Sequence, residues 1–206
     1  MANAIAEQAD VVTRHPLSDR WSRHSAVDRG LRIARAFLSG QCLAATARLI
    51  AELRLTRRES LLRLARLIAK HRWLASQSDI VLLDQGMLQE LYSALYAAKM
   101  KDVEAVALKP LIEALYRPLD ATIYVLQVDP SVAAARIGQR TYGRSKLDRM
   151  AADHRGSALA RTLLLQRRII EAAELAGLTV ERLDGGADIS QLAEQVIRSS
   201  DLPDRS

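Results

Sequence analysis

A single cysteine, Cys42, stands in the 206 residues of the chain. One cysteine excludes an internal disulfide, fits a reducing compartment, and reads as a small packed side chain rather than a nucleophile. No early apolar run resembles a secretory signal. No uninterrupted apolar stretch approaches the roughly 20 residues that a membrane helix needs. A soluble cytoplasmic protein is the expectation. The sequence has no internal repeat, no low-complexity linker, no spaced His/Cys set for zinc, and no nucleophile–histidine–acid set. It also lacks G-x-x-x-x-G-K-[ST], the loop whose amides and lysine surround phosphates.

What is present is an ordinary folding composition, 49% hydrophobic with a formal charge of +6. Disorder is therefore not expected, and the length suits one core and one domain over residues 1–199, with a tail at 200–206. The charge is uneven. From Arg48 to Arg72 the chain carries eight Lys/Arg against Glu52 and Glu59, so this segment alone holds an excess equal to that of the whole chain.

Strand and helix signals alternate. Val11-Val12-Thr13 reads as a strand closed by His15-Pro16. Helical spacing follows at 27–38. Residues 42–76 read as one or two helices broken near Thr56, with Leu61, Leu64, Leu67 and Ile68 as the apolar stripe and arginines opposite. Ile80-Val81-Leu82-Leu83 reads as a strand buried on both faces with Asp84 at its C-terminal tip. Helices are expected from Leu88 and over 101–117. Ala121–Val128 is a strand, and Asp129-Pro130 supplies an N-cap and a first-turn proline for a helix to Gln139. A basic loop covers 140–150, a helix spans 157–176 with Gly177 as its C-cap, and Thr179–Leu183 is the last strand. Asp184-Gly185-Gly186 reads as a turn, and a closing helix covers 189–198. Such alternation predicts an α/β fold with a mostly parallel sheet and helices on both faces.

Several of these segments, in order, resemble the thymidylate-kinase group of P-loop nucleotide kinases. Val11 to Pro16 resembles the second strand and T-R-E-P turn of that family. Residues 61–74 resemble the helix before its third strand, and Asp84 falls on the aspartate of its D-R-Y/H motif. Residues 128–140 resemble the strand, D-P turn and helix before the LID, so 140–156 is LID-like. Residues 180–197 resemble the final strand and helix beside the adenine site. Three departures stand out: the phosphate loop is missing, His15 replaces Glu, and Gln85-Gly86 replaces an Arg-aromatic pair, whose charge Gln does not carry.

The resemblance implies a three-layer P-loop-kinase-like sheet and ATP-dependent phosphoryl transfer, with ATP and Mg²⁺ as cofactors. Asp84 would sit near the metal. Arg136, Arg140 and Arg144 would neutralise the transferred group. Arg14, His15, Arg20, Gln85 and Gly86 would border a small phosphorylated or hydroxyl acceptor, and Arg149, Asp184 and Gly185 the nucleotide. Tyr92 and Tyr96 read as core packing before base stacking.

The family's strand order, 2-3-1-4-5, makes its first strand central. Without it a slot about 10 Å wide would separate the strands at 80–84 and 121–128. Each backbone group left unpaired there costs roughly 1–3 kcal/mol, against a domain stability of about 5–15 kcal/mol. The expectation is therefore a fragment, or a start placed too far downstream, with little turnover as written. Two alternatives stay open. One is a non-catalytic protein binding nucleic acid or another anion through the basic face at 48–72. The other is a subunit, a homodimer included, that takes its missing strand from another chain.

Overall fold

The computed structural model of the chain describes residues 40–76, 81, 83, 86–100, 102–138 and 152–199. Within them the order is α1 (Gly40–Glu52), α2 (Arg58–Leu74), α3 (Met87–Ala97), α4 (Ala105–Tyr116), β1 (Thr122–Gln127), α5 (Pro130–Gly138), α6 (Ala152–Leu175), β2 (Thr179–Asp184) and α7 (Ile189–Ser199). The protein is thus mixed α/β and mostly helical, with a two-stranded parallel sheet among the described residues. β1 and β2 pair in register from Thr122 opposite Thr179 to Gln127 opposite Asp184.

The larger core is helical. α2 packs on α3, α1 on α4, and α6 runs against both α3 and α4. Leu108, Leu111, Ile112 and Leu115 recur at helical spacing along α4 and are fully buried, as are Leu91 and Leu95 of α3 and Leu64 and Leu67 of α2. This periodicity turns one stripe of each helix inward. Cys42 is buried in the same core, with its Sγ 3.2 Å from the Ala114 carbonyl, as its packed reading expects. Tyr92 and Tyr96 pack against this core too, their ring centroids 5.7 Å apart, and the Tyr92 hydroxyl bonds Thr162 Oγ1 at 3.1 Å.

Side chains alternate across the strand pair. Ile123 and Val180 lie against the helical core. Tyr124 and Leu183 point the other way, into a smaller cluster with Leu192, Ala193, Val196 and Ile197 of α7. The pair therefore carries apolar packing on both faces. Burial is incomplete along β1, where no residue is fully buried and Leu126 is 46% exposed.

The ends of the elements follow local chemistry. The Asp129 carboxylate accepts the Ser131 amide at 2.8 Å and opens α5 after its proline. Asp188 accepts the Ser190 amide at 2.8 Å while Gln191 Oε1 reaches back to the Asp188 amide at 3.3 Å, a reciprocal cap on α7. Gly177, at φ 78°, ends α6. Its amide bonds the Glu174 carbonyl at 2.9 Å and the Leu178 amide bonds Ala173 at 3.1 Å, a Schellman pair. The same pair forms without glycine at Arg54 (φ 49°) after α1 and at Lys99 (φ 61°) after α3.

Three expectations are corrected. α6 begins at Ala152, so the LID-like loop gives way to helix before residue 156, and Gly156 lies within that helix. Asp184 is the last residue of β2, not the first of a turn. Val81 and Leu83 are half-buried and belong to neither strand, so at these two positions burial on both faces does not hold. The rest of that run, and the segments at 11–16 and 27–38, lie outside the described residues.

Candidate functional site: the C-terminal edge of the strand pair

Two parallel strands that end side by side place their following turns side by side. β1 leads into Val128-Asp129 and α5, and β2 into Gly185-Gly186. The Gly185 amide donates to the Gln127 carbonyl at 2.7 Å, carrying the ladder one residue beyond the strands. A Cβ at Gly185 would run into Val128 Cγ2 and stand 2.8 Å from the Gln127 carbonyl oxygen, so a side chain does not fit without movement. Asp184 folds back on this turn, its Oδ1 accepting the Gly186 amide at 2.8 Å.

Arg136 closes the corner. It stands near the end of α5, and its Nη1 donates to the Gly185 carbonyl at 3.0 Å. The guanidinium is exposed and has five N–H donors in a planar fork, so one bond to a carbonyl leaves most of them open to an anion. Asp129, also at this edge, has its carboxyl pKa held below the usual range, first by the Ser131 hydroxyl and then by the Ser131 amide. Here its charge is spent on the cap of α5.

Of the residues marked out in the sequence, Arg136, Asp184 and Gly185 are brought together here, although the LID resemblance gave Arg136 a catalytic role and the other two a nucleotide-binding one. Gly86 sits elsewhere, as the half-buried residue before α3. Arg14, His15, Arg20, Asp84, Gln85, Arg140, Arg144 and Arg149 lie outside the described residues. Among the described residues no group of three His, Cys, Asp or Glu side chains is placed to hold a metal ion. None of their helices is long and apolar enough to cross a membrane. A shallow hollow of about 540 Å³ on α7, lined by Gln191, Glu194, Gln195, Arg198 and Ser199, shares no residue with the Arg136 corner.

Two polar residues in the interior carry no signal in the sequence. Lys70 and His71 fall in a basic helix, yet Lys70 is only 6% exposed and His71 5%. Desolvation lowers the Lys70 pKa against the opposing pull of Glu90. Burial also lowers the His71 pKa, opposed by a hydrogen bond to the Leu115 carbonyl and aided by the nearby Arg72 charge. Among the described residues, His71 Nδ1 has no hydrogen-bond partner. Buried Tyr116 is pushed far above its ordinary pKa by desolvation, while its oxygen takes a backbone hydrogen bond from Leu88 in the first turn of α3. These groups stabilise or strain the helical core; they do not face the Arg136 corner in any contact described.

Comparison with known proteins finds no match: no family model, no curated protein and no solved structure corresponds to the chain. Among the described residues, the site is the C-terminal edge of a parallel strand pair, with the exposed Arg136 held on the Gly185 carbonyl.

Proposed function

We propose that the chain belongs to an ATP-dependent phosphotransferase of the thymidylate-kinase-like type, acting on a small phosphorylated or hydroxyl acceptor. One observation carries the reading. The C-terminal ends of two parallel strands hold Arg136 against the Gly185 turn, and open parallel sheets bind ligands at that end. The order of the resembling segments supports it. In this reading the whole molecule is a three-layer α/β domain with helices on both faces of a parallel sheet.

The corner fits the phosphate or ribose-phosphate portion of a nucleotide. The Arg136 guanidinium supplies a forked donor that matches phosphate oxygens. ATP, when bound, supplies the phosphoryl group. Arg136, Arg140 and Arg144 bind and neutralise its oxygens, Arg149, Asp184 and Gly185 border the nucleotide, and Asp84 takes the Mg²⁺. Arg14, His15, Arg20, Gln85 and Gly86 orient the acceptor. Because the 206 residues contain no phosphate loop, they hold ATP weakly by themselves.

Equilibrium dialysis with Mg-ATP, paired with a coupled transfer assay, tests this reading. Weak saturable binding and low turnover are expected. Arg136→Gln should weaken binding by roughly ten- to a hundredfold, the worth of a charge-assisted hydrogen bond. Unchanged affinity in that variant, with its Tm intact, would remove the corner from the site.

A further inference from the structure

Arg48 to Arg72 carries eight basic residues and two acidic ones, and the fold sorts them. Arg48 pairs with Glu52 at 2.6 Å and Arg63 with Glu59 at 2.8 Å. Lys70 turns into the core. Arg54, Arg57, Arg58, Arg66 and Arg72 are exposed, and none of them is in an ion pair among the described residues. Both carboxylates of the segment are thus committed to other arginines.

The placement of these cations runs against local preference. Arg54 holds φ 49°, a conformation that glycine adopts without steric cost. Arg57 precedes α2 with no side-chain cap and Arg58 opens the helix, so two cations sit at the positive end of its dipole, offset in the first turn by Glu59 alone. A stabilised elbow would carry glycine and a capping serine or aspartate at these points. Departures from local rules collect where a surface has another task.

The exposed arginines also have an order. At steps of four residues, Arg58, Leu62 and Arg66 form one ridge of α2; the next step would reach the buried Lys70, and Ala69, three residues on from Arg66, and Trp73 continue the outward face instead. Arg72 lies three residues from Ala69, on the flank. Leu62 is 45% exposed in the middle of the ridge, and Trp73 is half-buried at its end. Arg58 to Arg72 spans about 21 Å along the helix, a track longer than a single nucleotide. The opposite side of α2, with Leu64, Leu67 and Ile68, is buried, largely against α3. A helix that lies in a membrane surface needs that apolar face for lipid; here it is already used.

We propose that the α1–α2 elbow and the outward ridge of α2 dock a single strand of nucleic acid. Arg54, Arg57, Arg58, Arg66 and Arg72 hold successive phosphates, and Leu62 packs against the bases between them. Guanidinium forks match phosphate oxygens, and a positive track along the backbone holds single strands without reading sequence, with Leu62 here in the place that stacking aromatics take in other such grooves. The inference is independent of the nucleotide corner.

Fluorescence anisotropy of the full chain with a fluorescein-labelled DNA strand of about 20 nucleotides, between about 50 and 200 mM salt, tests it. Affinity should fall linearly with salt on logarithmic axes. Arg58→Gln, Arg66→Gln and Arg72→Gln together should weaken binding more than tenfold at low salt and reduce the slope by about 2, the share of three phosphates on a single strand. The Lys variants at the same three positions should keep the slope, which holds the test open if the Gln variant does not fold. Arg117→Gln with Arg198→Gln, two arginines already paired with Glu113 and Glu194, should change neither quantity. No binding at low salt, equal loss in that control, or binding only to phosphatidylserine vesicles would overturn the proposal.

Discussion

Gly185 sits where two turns touch, and its missing side chain is what lets its amide reach the Gln127 carbonyl. Gly185→Ala should lower stability by about 1–3 kcal/mol, the usual range for forcing atoms into packed space, and urea unfolding reads this directly. His71 makes a second residue-scale prediction. Its folded pKa lies below the ordinary histidine value of about 6.5. Above that value the ring is neutral in both states and its contribution is whole. As pH falls below it, the unfolded chain takes the proton first, so stability is lost down to the folded pKa. His71→Phe should flatten the profile in that window. It should also cost about 1–3 kcal/mol near neutral pH, because the Leu115 carbonyl loses its donor; denaturation midpoints against pH measure both. Neither burial was legible beforehand. Lys70 and His71 occupy a run that reads as basic and amphipathic, and only the docking of α3 and α4 decides which flank of that run is covered.

At the scale of elements, punctuation residues told most. Asp129-Pro130 and Gly177 mark an N-terminus and a C-terminus in the sequence, and both stand there in the structure. The break near Thr56 also separates α1 from α2. Arg54 and Lys99 were silent, because a left-handed residue other than glycine or asparagine leaves no signature in composition. The start of α6 was placed late for a related reason: Gly156 suggests a loop, yet the helix runs through it. These caps make opposite predictions. Lys99→Gly should raise stability by about 1 kcal/mol, since glycine relieves the left-handed strain. Gly177→Ala should lower it by a similar amount. A pair of thermal unfolding curves, with unchanged helical content by circular dichroism, checks the signs.

For the whole molecule, the alternation of strand and helix signals implied a mixed α/β protein with parallel pairing, and the described residues contain one such parallel pair. It did not foretell how helical the protein is, nor that β1, a run of β-branched and aromatic residues, would be left without one fully buried position. Burial in a sheet depends on neighbours far away in sequence, and the strongest strand signal carries no information about them. The site was legible only in part. Arg136, Asp184 and Gly185 were marked from separate segments, and their meeting follows from the register that sets Gln127 opposite Asp184. Amide NMR during a titration with Mg-ATP tests the central claim most directly. The account predicts weak binding, in the millimolar range expected when only a few contacts hold the ligand, with shifts at Gln127–Asp129, Ser131, Arg136 and Asp184–Gly186, lost in Arg136→Gln, and at the other positions assigned to Mg-ATP: Asp84, Arg140, Arg144 and Arg149. Shifts centred on α2, or none at those turns, would contradict it.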